Sequence, residues 1–230
     1  MKRLPIPVAI FVAIVIATLG LLFFQPPPGK RGEGDVVTNL PWQIEVLPDG
    51  TSRVFGLTVG ASTLSDARTR FGGGGELAIV AAPGETGSIE LYFEDVTLGA
   101  VTGKLIVAAD AGNDVVETMK RRAVKTEYMQ STTKKSTLAE PDAAAAYASS
   151  IRSIAFVPSI SLDENIVIHR FGQPAERIRT SETTEHFLYP ERGLDIALDS
   201  KSKELLQYVA PRNFARLRAP LERHVDKPEN

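Results

Sequence analysis

The residues of this chain that could do chemistry are few and scattered. Cysteine is absent, and the three histidines are His169, His186 and His224. No two of them stand at the short helical spacing that points two imidazoles at one metal ion. No Gly-x-Ser-x-Gly elbow is present to expose a nucleophile. Gly72-Gly73-Gly74-Gly75 could offer backbone amides to a phosphate. That run follows a helical pattern instead of opening one, and no Lys-Ser/Thr completes it, so it reads as a helix stop and loop. Asp163-Glu164 falls in a helix's first turn, where carboxylates meet the positive end of the helix dipole. No catalytic residue, cofactor site or metal site is therefore expected. What remains is positive charge: Lys120, Arg121, Arg122 and Lys125 in one stretch, and Arg212, Arg216, Arg218 and Arg223 in another. Such clusters are ordinarily solvated faces. Their functional reading is contact with anionic headgroups or an acidic partner. Trp42, Phe187, Tyr189 and Tyr208 could form an aromatic contact surface, although core packing is the commoner use of such side chains.

The elements that position these residues begin with the N-terminus. Met1-Lys2-Arg3 precedes an uncharged apolar run from Ile6 to Phe24, diluted by Thr18 and Gly20. A helix that spans a hydrocarbon core of about 30 Å needs about 20 such residues. The run ends in Leu21-Leu22-Phe23-Phe24 and then Pro26-Pro27-Pro28, bulky where a signal peptidase requires small residues. Without cysteine there is no lipoprotein site. An uncleaved anchor is expected, with a cleaved signal peptide as its competitor. The short basic tail favours an N-terminus in the cytoplasm, with the body in the periplasm. The lack of cysteine fits an oxidising compartment without disulfides. A net charge of −2 gives no global pull toward nucleic acid.

Beyond a Pro/Gly-rich linker at 25–41, alternation and turn signals outline the body. Strands are expected at 42–47 and 53–57, then a helix capped by Ser62 or Thr63, with Leu64, Ala67 and Phe71 on one face. Strands follow at 76–82, 88–96 and 101–108, a helix at 114–128, and an extended stretch at 132–138. A short helix opens at Pro141, where proline suits the first turn, and a strand follows at 151–157. A second helix, capped by Ser161 or Asp163, carries Ile166, Val167, Arg170 and Phe171 and stops at Gly172. A meander of three strands at 185–189, 194–198 and 204–209 completes the pattern. The basic end, 211–230, is expected to be loose.

Arg70-Phe71-Gly72 and Arg170-Phe171-Gly172 lie one hundred residues apart in similar surroundings, which suggests a duplicated unit. The segments Val59-Gly60-Ala61-Ser62-Thr63-Leu64…Phe71-Gly72 and Ser161-Leu162-Asp163…Phe171-Gly172-Gln173-Pro174 resemble the opening motif of the BamE (SmpA/OmlA) family. Glu185-His186-Phe187-Leu188-Tyr189 is similar to the aromatic strand that follows it. The second segment lacks the motif's first glycine, and the chain lacks the cysteine of a lipoprotein. The resemblance implies the fold shared with β-lactamase inhibitor protein, helices packed on an antiparallel sheet, and a non-catalytic periplasmic protein that works by surface contact.

The expected architecture is α+β: a tail at 1–5, a transmembrane helix at 6–24, the linker, and two small helix-on-antiparallel-sheet units at 42–128 and 129–210. The expected role is a membrane-anchored envelope adaptor or scaffold, without enzymatic activity or cofactor, whose partner is another envelope protein. The alternative is a binding module for a small molecule, lipid or cell-wall fragment, held in a groove between the units. An enclosed apolar pocket would favour the alternative.

Overall fold

The computed structural model describes residues 38–129 and 132–225. Its first elements are β1 (Glu45–Val46), β2 (Ser52–Val54), β3 (Leu57–Val59), α1 (Leu64–Arg70), β4 (Glu76–Ala81), β5 (Ser88–Leu98) and β6 (Val101–Ala109). Next come α2 (Asn113–Arg121), β7 (Lys125–Tyr128), β8 (Lys134–Thr137), α3 (Glu140–Tyr147) and β9 (Ile151–Pro158). The last are α4 (Glu164–Phe171), β10 (Glu176–Arg179), β11 (Thr184–Tyr189), β12 (Leu194–Asp199), β13 (Leu205–Val209) and α5 (Ala215–Val225).

The expected α+β pair of units is corrected by the sheet. Ten strands form one antiparallel sheet in the order β10-β11-β12-β13-β9-β6-β5-β4-β8-β7, beside a three-stranded β1-β2-β3 sheet. The fold is mainly β, with short helices. The reason lies in β9, which pairs with β6 on one side and β13 on the other. Division there would bare two rows of backbone donors and acceptors in mid-sheet. It would also cut a core that runs through Leu91, Leu105, Ile154, Phe156, Leu206 and Ile196. The expected membrane helix at 6–24 lies outside the described residues. Among those described, no helix is long and apolar enough to cross a membrane.

Each helix that begins a half of the sheet has a local cause. Thr63 caps α1 by accepting from the Asp66 N–H at 3.1 Å, while the Asp66 carboxylate accepts from the Thr63 N–H at 2.8 Å. Asp163 caps α4 by accepting from the Ile166 N–H at 2.8 Å. Both helices end beside a left-handed glycine, Gly72 at φ +83° and Gly172 at φ +82°. Leu64 and Ala67 of α1 and Val167 and Phe171 of α4 are buried on the same face of the sheet.

The two halves of the sheet correspond in strand order, direction and register. A half-turn about the Ala155–Gln207 pair, normal to the sheet, exchanges β4-β5-β6-β9 with β10-β11-β12-β13. The pairing of Ala78 with Glu90 becomes that of Ile178 with His186, and Leu105–Phe156 becomes Leu194–Tyr208. Packing follows the register. Phe71 meets Phe93 with ring centroids 5.3 Å apart, and Phe171 meets the equivalent Tyr189 at 6.3 Å. Phe55 touches the equivalent pair Phe156 and Tyr208 at 5.8 and 5.1 Å. The halves differ by the α2-β7-β8-α3 excursion between β6 and β9, where β12 reaches β13 through a short loop.

Several elements differ from expectation. The helix expected at 114–128 ends at Arg121, because Val124, Thr126 and Tyr128 alternate as strand formers and β7 pairs with β8. Within α2, Val116 and Met119 are buried and Val115 is exposed. The expected three-stranded meander has a fourth strand, β10, hidden by its charged sequence. Part of the stretch expected to be loose is packed: α5 buries Phe214, Leu217 and Leu221 against Ile178, Leu188 and Val209 on the sheet's second face.

Candidate functional site

The basic residues singled out in the sequence do not gather into one patch. Lys120 donates to Glu117 at 2.7 Å and to the Thr86 carbonyl at 3.0 Å, and Arg121 donates to the Thr118 hydroxyl at 2.9 Å. Arg122 clasps the buried Asp142 carboxylate through two nitrogens, tying the end of α2 to the start of α3. Lys125 pairs with Glu127 along the edge strand. Arg212 donates to the Asp49 carbonyl at 2.9 Å, and Arg218 bonds both carboxylate oxygens of Glu176, fixing α5 to β10. Arg216 lines a cleft, 3.4 Å from Asp110.

The second face of the sheet holds polar groups that the sequence did not single out. His186 donates its Nδ1–H to Asp195 at 2.9 Å, and both side chains are buried. Burial and a carboxylate partner make His186 part of the packed face. Among the described residues no hydroxyl is hydrogen-bonded to the imidazole. At the equivalent place in the other half stands Glu90, also buried and bonded to the Ser88 hydroxyl. Burial pushes its carboxyl up to about 7, against smaller opposing effects from Ser88 and Arg152.

Arg152 and Ser153 occupy an irregularity in β9. Ala108 pairs with Ser153 and Ala109 with Ile151, which leaves Arg152 as the extra residue of a bulge. Both side chains line a cleft of about 620 Å³ with Asp110, Gly112, Arg216 and Leu217. Burial lowers the pKa of Arg152, and the Arg216 charge adds to that effect while Asp110 and Glu90 oppose it. Arg152-Ser153 interrupts an otherwise apolar strand, the one signal by which the sequence could have shown this site.

Other depressions offer less. The crevice beside Trp42, Ile166 and Phe171 is apolar but holds only about 10 Å³, about the room of one water. An open cleft of about 530 Å³ carries Asp163, Glu164, Glu182 and Glu185. Among the described residues no cluster of metal-ligating side chains forms. The aromatic residues considered as a contact surface are largely interior: Phe187, Tyr189 and Tyr208 are buried, and Trp42 packs edge-on against Phe171 at 6.1 Å.

Among the described residues, the most exposed large apolar side chains lie at one end of the sheet. Val124 is 73% exposed and Tyr128 is 69% exposed, just before and at the end of the terminal strand β7. The Met129 N–H bonds to the Thr133 carbonyl, so by antiparallel alternation Lys125 and Glu127 bond to β8. Thr126 and Tyr128 then turn their backbone groups outward. Comparison of the chain with protein-family models, curated proteins and solved structures finds no match.

Proposed function

We propose that this protein is a non-enzymatic envelope adaptor, anchored in the inner membrane by residues 6–24 with its folded body in the periplasm. It binds a protein partner along the free edge of β7. The observation that carries the reading is an open strand edge flanked by the exposed Val124 and Tyr128. A partner strand added there gains main-chain hydrogen bonds for affinity and two apolar side chains for contact. Lys125 and Glu127, on the opposite face of the strand, discourage indiscriminate edge pairing by their charge. The uncharged apolar run supports the anchor, which raises the body's effective concentration at the membrane. The resemblance of the helix-opening segments to BamE-like proteins points toward surface contact as well. A second reading, a ligand-binding module, is favoured by the Arg152 cleft.

Photocrosslinking in intact cells from a reactive residue at position 128 tests the adaptor reading. A single protein adduct is expected, and it should weaken in a Thr126→Pro variant. Proline there removes an outward N–H and leaves the ladder to β8 in place. Capture of lipid or glycan alone would give precedence to the ligand-binding reading.

A further inference from the structure

The cleft between α5, β9 and the start of α2 joins four features that suit an anion. Arg152 has no hydrogen-bonded or ion-pair partner among the described residues, although its guanidinium is half-buried. Arg216 approaches it from α5 closely enough to add to the lowering of its pKa, and meets Asp110 only at 3.4 Å. Two guanidiniums facing one space repel each other unless a negative group lies between them. Ser153 is 7% exposed, lines the cleft, and its hydroxyl has no partner among the described residues. The fourth feature is the N-terminus of the nine-residue helix α2, whose cap Gly112 supplies no side-chain hydrogen bond. Gly112 itself lines the cleft, and the helix dipole favours negative charge at that end.

We propose that this cleft is a binding site for a carboxylate group, held in the fork of Arg152, with Arg216, Ser153 and the first amides of α2 as further donors. Charge selects the monoanion. Arg152 and Arg216 supply two positive charges and Asp110 one negative, which leaves a single charge to neutralise. A planar carboxylate matches a guanidinium fork with two parallel hydrogen bonds. Glu90 faces Arg152 from β5 and is raised to about 7 by burial, so it is neutral in mild acid and competes for Arg152 once ionised. Asp114, exposed in the first turn of α2, lies outside the lining.

The test is titration of the full chain in detergent with N-acetylglycine, and in a second arm with inorganic phosphate, followed by the amide resonances of Gly112 and Asn113. Saturable shifts are expected with N-acetylglycine, at least about tenfold weaker in Arg152→Gln. Arg216→Gln, at an exposed helix position, should weaken binding several-fold and keeps the test valid should Arg152→Gln fold poorly. Affinity should fall as pH rises through about 7, because Glu90 then charges beside Arg152. Binding that is absent, or equal in the parent and both variants, would overturn the site. Phosphate binding as tightly as N-acetylglycine would overturn the assignment to a carboxylate.

Discussion

Glu90 is a buried carboxyl whose ordinary pKa of 4.5 is raised to about 7, so folding favours its neutral form. The sign follows from linkage. The stabilisation is complete below 4.5 and is lost as pH climbs through about 7. The loss amounts to at most about 3 kcal/mol. Urea unfolding at about pH 5 and about pH 8 should show that decline, and Glu90→Gln should remove most of it and be the more stable protein at the higher pH. Glycines make a second contrast at this scale. A Cβ at Gly103 would lie 2.3 Å from the Val157 carbonyl and 2.6 Å from the Phe156 ring, whereas one at Gly74 would meet nothing within 4 Å. Gly103→Ala should cost about 3 kcal/mol in a denaturation experiment, and Gly74→Ala close to nothing. Both glycines look alike in the sequence, because close approach depends on a strand paired from more than fifty residues away. The same limit hid Arg152. Its type was plain, but the bulge that aims it into the cleft arises only when β9 pairs with β6.

Local signals served the elements well where they were self-contained. Thr63 and Asp163 cap their helices as their chemistry suggests, and Thr63→Ala and Asp163→Ala should each destabilise by about 1 kcal/mol in urea unfolding. Comparable losses are expected because the two helices hold equivalent places in the two halves of the sheet. The alternating strands β5, β6, β11 and β12 were legible for the same reason: period two needs no knowledge of the partner. Elements defined by what they touch were not. The apolar spacing Phe214, Leu217 and Leu221 sits among arginines and reads as a tail until Ile178, Leu188 and Val209 are in place beneath it. Leu217→Ala should therefore cost about 3 kcal/mol, as for a core leucine, when a loose tail would lose nothing. β7 shows the converse error, since its residues continue a helical pattern in sequence and become a strand through pairing with β8.

At the scale of the molecule, the sequence showed repetition but not continuity. Arg-Phe-Gly recurs one hundred residues on, and the aromatic contacts recur with it, Phe71 on Phe93 and Phe171 on Tyr189. That β9 would bond to both halves and merge them into ten strands could not be read from either copy alone. A single sheet has two edges, and α5 is fixed to the β10 edge through Arg218 and Glu176. The β7 edge, by contrast, carries the exposed Val124 and Tyr128. Placement in the envelope predicts that a topology reporter joined after Asn230 is active in the periplasm and silent in the cytoplasm. The adaptor account is tested most directly by amide hydrogen exchange at Thr126 and Tyr128, compared between the free protein and its isolated complex with the crosslinked partner. Strong slowing at these outward amides, with little change across β5 and β6, is the predicted result. Unchanged exchange at both positions in the complex would contradict strand addition at this edge.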